Sequence, residues 1–85
     1  MNICFFMGKI VSDINFKFII NDRQNISIAI FEVELNNKSK ITVIGYNEMA
    51  DFCYSRLKKN DNIAFQGYIS SEIKVIVEDI MILPF

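Results

Sequence analysis

The chain has 85 residues, 52% hydrophobic and 13% aromatic, with nine basic and ten acidic side chains and a net charge of −1. That length describes one domain, residues 1–85, near the lower limit for a self-sufficient core, and its apolar excess points towards self-association. The charge balance excludes a plainly basic surface, and the absence of histidine excludes any Ser-His or Cys-His nucleophile, imidazole base or His metal ligand within the chain.

Other classes fall away on similar grounds. No apolar run approaches the ~20 residues of a membrane span. Met1-Asn2 brings no basic segment before the first apolar run, so no signal peptide is expected and the reading is cytoplasmic. Cys4 and Cys53 sit inside apolar patterns rather than at a ligand spacing, and read as reduced thiols. Glu32 and Glu34 lie on an ordinary strand pattern and read as a solvated face. The expectation is a binding protein, not an enzyme, without cofactor or metal.

In chain order, Ile3 to Val11 is an apolar run broken by Gly8 and Lys9, suited to a strand with both faces at least partly covered, with a bulge or sharp bend at Gly8. After Ser12-Asp13, Ile14 to Ile20 resumes with partial alternation. Asn21 to Asn25 is a polar turn closing a hairpin. In Ile26 to Leu35, the residues Ala29, Phe31, Val33 and Leu35 share one face, the expected interior. The other face begins apolar with Ile28 and Ile30 and ends acidic. The Asn36-Asn37 pair suits a turn with positive φ. Lys40 to Tyr46 follows, with Ile41 and Val43 inward and Lys40, Thr42, Ile44 and Tyr46 outward.

Asn47 reads as the N-cap of a short helix, with acids in its first turn and Arg56, Lys58 and Lys59 at its end. Met49, Ala50, Cys53 and Leu57 form its apolar stripe, long enough to plug a barrel end. Asn60 is a left-handed stop residue. Asn62 to Ile69, a turn at Ser70-Ser71-Glu72, and Ile73 to Leu83 complete the pattern, and Pro84 stops it. Strands, one helix and two more strands make an all-β chain in the order of the five-stranded OB-fold, a Greek-key barrel with its helix between strands three and four.

Residues along this order carry a resemblance to a family. Gly8-Lys9-Ile10-Val11-Ser12-Asp13 after the first apolar run, Asn15-Phe16-Lys17-Phe18, Ala29 to Val33, Met49-Ala50-Asp51, Leu57-Lys58-Lys59-Asn60-Asp61 and Gly67 resemble the OB domain of bacterial-type single-stranded DNA-binding proteins. The similarity covers residues 1 to 69, with a looser match in the last strand. It departs at Ile14, where the family has Pro, and at Asn60, where it has Gly. The loops between strands two and three and between four and five are cut to tight turns, tryptophan is absent, and no acidic tail follows. The closing Pro84-Phe85 is similar to the family's partner-binding tip, but Glu78 and Asp79 lie in the last strand with no linker, so the match reads as coincidence.

The resemblance implies binding of single-stranded DNA without strong sequence preference, in replication, recombination or repair, as a homodimer or homotetramer whose first strand, Asn2 to Phe6, helps pair subunits. Partner proteins of replication or repair are implied with it. Such binding needs aromatic faces for bases and cations for phosphates. Tyr46 matches a stacking position of the family and leads, although the same residue also reads as a barrel-rim side chain against the helix start. Phe18 and Tyr68 follow. The phosphate candidates are Lys9, Lys17, Arg23, Lys38, Lys40 and Lys74, each of which alone also reads as an ordinary solvated cation. Phe31, Phe52 and Phe65 are assigned to core or interface. The alternative is an OB-fold protein–protein interaction module that has lost nucleic-acid binding, consistent with the short loops, absent Trp and neutral charge.

Overall fold

The computed structural model describes residues 3–70 and 74–84. The expected turn at Ser71-Glu72, the start of the last strand at Ile73, and Asn2 and Phe85 of the two termini lie outside the described residues. Six strand segments and one helix are present: β1 Ile3–Ile10, β2 Asn15–Ile20, β3 Asn25–Leu35, β4 Lys40–Tyr46, α1 Glu48–Arg56, β5 Asn62–Ile69 and β6 Val75–Ile82.

These six segments make five barrel strands. β1 and β2 both lie antiparallel to the same edge of β3, Gly8–Ile10 against Leu35–Val33 and Asn15–Ile20 against Ile30–Asn25. They are two halves of one first strand, interrupted between residues 11 and 14. At the interruption Glu32 keeps its backbone partners: the Val11 N–H donates to its carbonyl at 2.9 Å, and the Ser12 hydroxyl oxygen accepts its N–H at 2.8 Å. A serine at this point thus replaces a ladder bond that would otherwise be lost.

The sheet runs β1-β5-β6-β4-β3-β2 and closes through the β1–β3 pairing. All contacts are antiparallel except β4 with β6, where Val43 and Ile44 meet Val75 and Ile76 in parallel register. This is the OB arrangement, an all-β Greek-key barrel with α1 between the third and fourth barrel strands. Closure removes most free edges, which a sheet of this size would otherwise expose.

The interior follows the alternation of β3. Ala29, Phe31 and Val33 point inward and meet Ile10, Val43, Ile63, Phe65, Val75, Val77 and Ile80. Phe31 and Phe65 are almost wholly enclosed, and Phe6 stacks on Phe65 with ring centroids 5.4 Å apart. Burial of each such side chain contributes roughly 1.5–3 kcal/mol. Ala50, Cys53 and Leu57 present the buried stripe of α1, which covers the barrel end as expected.

Four local expectations need correction. β1 is not covered on both faces: Ile3, Phe5 and Met7 alternate outward and are exposed, because nothing among the described residues lies over that side of the sheet. Gly8 marks a close approach rather than a bulge, since a Cβ there would stand 2.5 Å from the Glu34 carbonyl oxygen; the register shift falls at Gln66/Gly67, where a Cβ on Gly67 would collide with the Ile76 carbonyl. In the β3–β4 turn the positive φ belongs to Lys38 (72°), not to either asparagine; Asn37 instead accepts the Ser39 N–H with its side chain at 3.0 Å. Asn47 precedes α1, but its side chain makes no capping bond, since its φ of 54° and ψ of −119° belong to a reverse turn rather than to the extended backbone of a capping residue. Asn60, at φ 81°, takes the left-handed conformation expected of it.

Candidate nucleic-acid interface

Paired residues in a sheet share a face, so the registers locate every candidate side chain. On the barrel exterior, β2, β3 and β4 line up in successive rows: Lys17–Ile28–Tyr46, then Asn15–Ile30–Ile44, then Glu32–Thr42, then Lys9–Glu34–Lys40, where Lys9 comes from β1. The first and last rows are six residues apart along β3, about 20 Å at the ordinary strand rise. Arg23 stands beyond the first row, in the β2–β3 turn, where the Asn21 side chain accepts the N–H groups of Arg23 and Gln24 at 3.0 and 2.8 Å.

Tyr46 is held at the end of this face by backbone bonds on both sides. Its β3 partner is Ile28, and the next N–H, of Asn47, donates to the Ser27 carbonyl at 2.8 Å before the chain turns into α1. The ring is 43% exposed, enough to offer a face to a planar ligand. It is therefore a rim residue and an accessible aromatic at once.

The other candidates divide. Lys9, Lys17, Lys40 and Tyr46 share the exterior face, and Lys38 projects from the turn at its lower end. Tyr68 joins them by a route the sequence did not announce: Tyr68 pairs with Ile76, and Ile76 with Ile44, so one exterior row runs Ile30–Ile44–Ile76–Tyr68 around the barrel. The link is the parallel β4–β6 pairing, which brings together segments separated by the helix and β5. Lys74 lies just before Val75, the partner of Val43, and is half-buried; its carbonyl accepts the Ser70 N–H at 2.8 Å.

Phe18 is separated from this group. It pairs with Ser27, on the opposite face of the β2–β3 hairpin from Lys17 and Ile28. That is the helix side, where Phe16 meets Tyr54 of α1 with ring centroids 4.6 Å apart. Phe18 and Tyr46 therefore cannot stack bases on one surface of the sheet. Phe52 is half-buried beneath the Arg56 guanidinium, 5.9 Å from its ring centroid, in accord with a packing role.

Electrostatically the face is uneven. Its centre is aliphatic, its first row and the adjoining turn carry Lys17 and Arg23, and its last row sets Glu34 between Lys9 and Lys40. The β4 track, Tyr46-Ile44-Thr42-Lys40, contains no acid, whereas the β3 track contains Glu32 and Glu34. A polyanion laid along β4 meets attraction at both ends and no direct carboxylate beneath it. Among the described residues no helix is long and apolar enough to cross a membrane.

No protein-family model matches the chain, and no curated protein matches it. Solved structures do. The SSB domain of a protein from Synechococcus sp. superposes with a TM-score of 0.80 at 20% identity, over 94% of this chain and 93% of that one. The single-stranded DNA binding protein from Thermus aquaticus gives a TM-score of 0.86 at 16% identity, over 100% of this chain but 41% of that one. The small single-stranded DNA-binding protein from Streptomyces coelicolor gives 0.75 at 14% identity, over 99% and 96%. These likenesses establish the OB-fold.

Proposed function

We propose that this chain binds single-stranded DNA without strong sequence preference, stacking bases on Tyr46 and holding phosphates with lysines of the same face. The observation that carries the reading is the exterior face of β2, β3 and β4, where an exposed tyrosine shares a register row with Lys17 and a strand face with Lys40. Proteins of the same fold are described as binding single-stranded DNA. Tyr68 and Lys74 extend the surface towards β6, and Arg23 extends it at the hairpin tip. The protein works by binding, without catalysis, in DNA replication, recombination or repair in the cytoplasm.

The acting species is a homodimer or homotetramer. β1 pairs with β3 over Gly8–Ile10 and with β5 over Ile3–Lys9, and its outward side chains Ile3, Phe5 and Met7 are exposed. Over β1, β5 and β6, Phe5, Met7 and Met81 are 67%, 44% and 65% exposed and share one groove with Ala64 and Leu83. An exposed apolar groove of this kind supports pairing with a second copy.

Titration with oligo(dT), followed by tyrosine fluorescence at two salt concentrations, tests the reading. Quenching that weakens with salt is expected, and a Tyr46→Ala, Lys40→Ala double variant should lose about 1–3 kcal/mol of stacking plus one phosphate contact while keeping its oligomeric state. No binding at low salt and micromolar protein would overturn it. In that event the interaction-module reading is favoured by Ile26, Ile28 and Ile30, half-buried and aliphatic at the centre of the same face.

A further inference from the structure

The far end of the exterior face opens into a cleft that the aromatic candidates do not reach. It has a volume of ≈ 270 Å³ and lies between β1, the β3–β4 turn and the start of β5, with Lys9, Lys38, Glu34, Asn36 and Asn62 among its walls. Lys9 and Lys38 come from segments distant in sequence and are brought together only because Gly8–Ile10 closes the barrel on the end of β3. Lys40 stands on the other side of Glu34 from Lys9, so three cations surround one carboxylate and the local balance is positive.

We infer that this cleft grips a backbone phosphate, and that the bound strand runs along β4, from the exposed Tyr46 past the buried Ile44 and half-buried Thr42 to the exposed Lys40, rather than along β3. The inference rests on the single-strand reading above and adds a direction and an end point to it. Two observations carry it. The β3 track would take a phosphate backbone across Glu32, which is exposed, and Glu34, which is half-buried, while the β4 track meets no acid before the cleft. The β4 track also leads directly back through Ser39 to Lys38, whose positive φ of 72° turns the chain beside the cleft. The two tracks are about 5 Å apart, so a strand displaced by one sheet spacing lies beside the carboxylates rather than over them and nearer to Lys40. From Tyr46 to Lys40 the distance is about 20 Å, which places the span at the short end of the roughly 4–16 nucleotides that OB-fold sites occupy.

The test is fluorescence anisotropy of labelled oligo(dT) over a series of lengths and salt concentrations, with the full chain and a Lys9→Gln, Lys38→Gln double variant. Both lysines line an open cleft, and circular dichroism checks that the barrel is retained. For oligonucleotides long enough to join Tyr46 to the cleft, the variant should bind about tenfold more weakly, and its salt slope should be shallower by about 1.4, the value for two lost single-strand contacts. For the shortest lengths, which cover Tyr46 alone, its affinity should equal that of the parent. An Arg56→Gln, Lys58→Gln variant removes the same charge from the helix side and should leave the slope unchanged. If the parent binds and the cleft variant matches it in slope and affinity at every length, the cleft inference falls and the single-strand reading stands. An equal loss in the helix-side control also overturns it, because net charge alone would then explain the effect. If the parent itself does not bind, both fall.

Discussion

The Cys53 thiol has no exposed surface, enclosed where α1 closes the barrel, and burial pushes its pKa from 9.0 up to about 12. In the unfolded chain the thiol ionises near its ordinary value, while in the folded protein it stays neutral until much higher pH. Its contribution is therefore fully present below pH 9 and is lost as pH rises towards 12. Urea unfolding between these limits should show an alkaline loss of up to about 1.4 kcal/mol per pH unit in the parent that is absent from Cys53→Ala. Equal alkaline slopes in the two proteins would refute it. Among the other single residues, strand alternation, a local property, sets Phe31 inward and Tyr46 outward, and Phe65, assigned to core or interface, is in the core. Periodicity alone says nothing about the two sides of a hairpin relative to a distant strand. The β2–β3 and β3–β4 registers set Phe18 and Tyr46 on opposite faces.

At the scale of elements, the connection from β4 to α1 depends on an unusual backbone. Asn47 has φ 54° and ψ −119°, the first central position of a type II′ turn, where glycine is favoured and asparagine tolerated. Its N–H and C=O are both engaged, donating to the Ser27 carbonyl at 2.8 Å and accepting the Asp51 N–H at 3.0 Å. Backbone geometry, rather than a side-chain cap, starts this helix and turns the chain sharply after Tyr46. Asn47→Gly should leave the urea midpoint unchanged or raise it, and Asn47→Ala should lower stability by about 1–2 kcal/mol. If the side chain were instead a cap, both substitutions would be destabilising, and the comparison of the two separates these cases. The polar turn after β2, by contrast, was legible from its residues: Asn21 does what a side chain of that type does locally, accepting two backbone N–H groups in a tight loop.

At the scale of the molecule, the barrel buries its interior and still leaves Ile3, Phe5 and Met7 of β1 and Met81 of β6 exposed. A chain this short has more apolar side chains than a single barrel interior holds, and the surplus falls on β1 and β6 and, separately, on β2 at Phe18, Ile19 and Ile20. Phe5→Glu should shift the protein to monomer in sedimentation or light scattering, since a carboxylate at the centre of a packed apolar contact is strongly disfavoured. The variant should retain its circular dichroism spectrum, because Phe5 contributes little to the interior. A parent that is already monomeric at high concentration would rule out the pairing.

The sequence by itself determined the order of elements, the inward face of β3, the helix stripe and the positions of most turns. Each follows from alternation, helical spacing or turn chemistry within a few residues. That Tyr68 joins the face of Tyr46 through Ile76 and Ile44, and that Lys9 and Lys38 line one cleft, emerges from the folded barrel alone. These depend on which distant strands pair and in what register. Barrel closure settles both at once, and no local pattern encodes either.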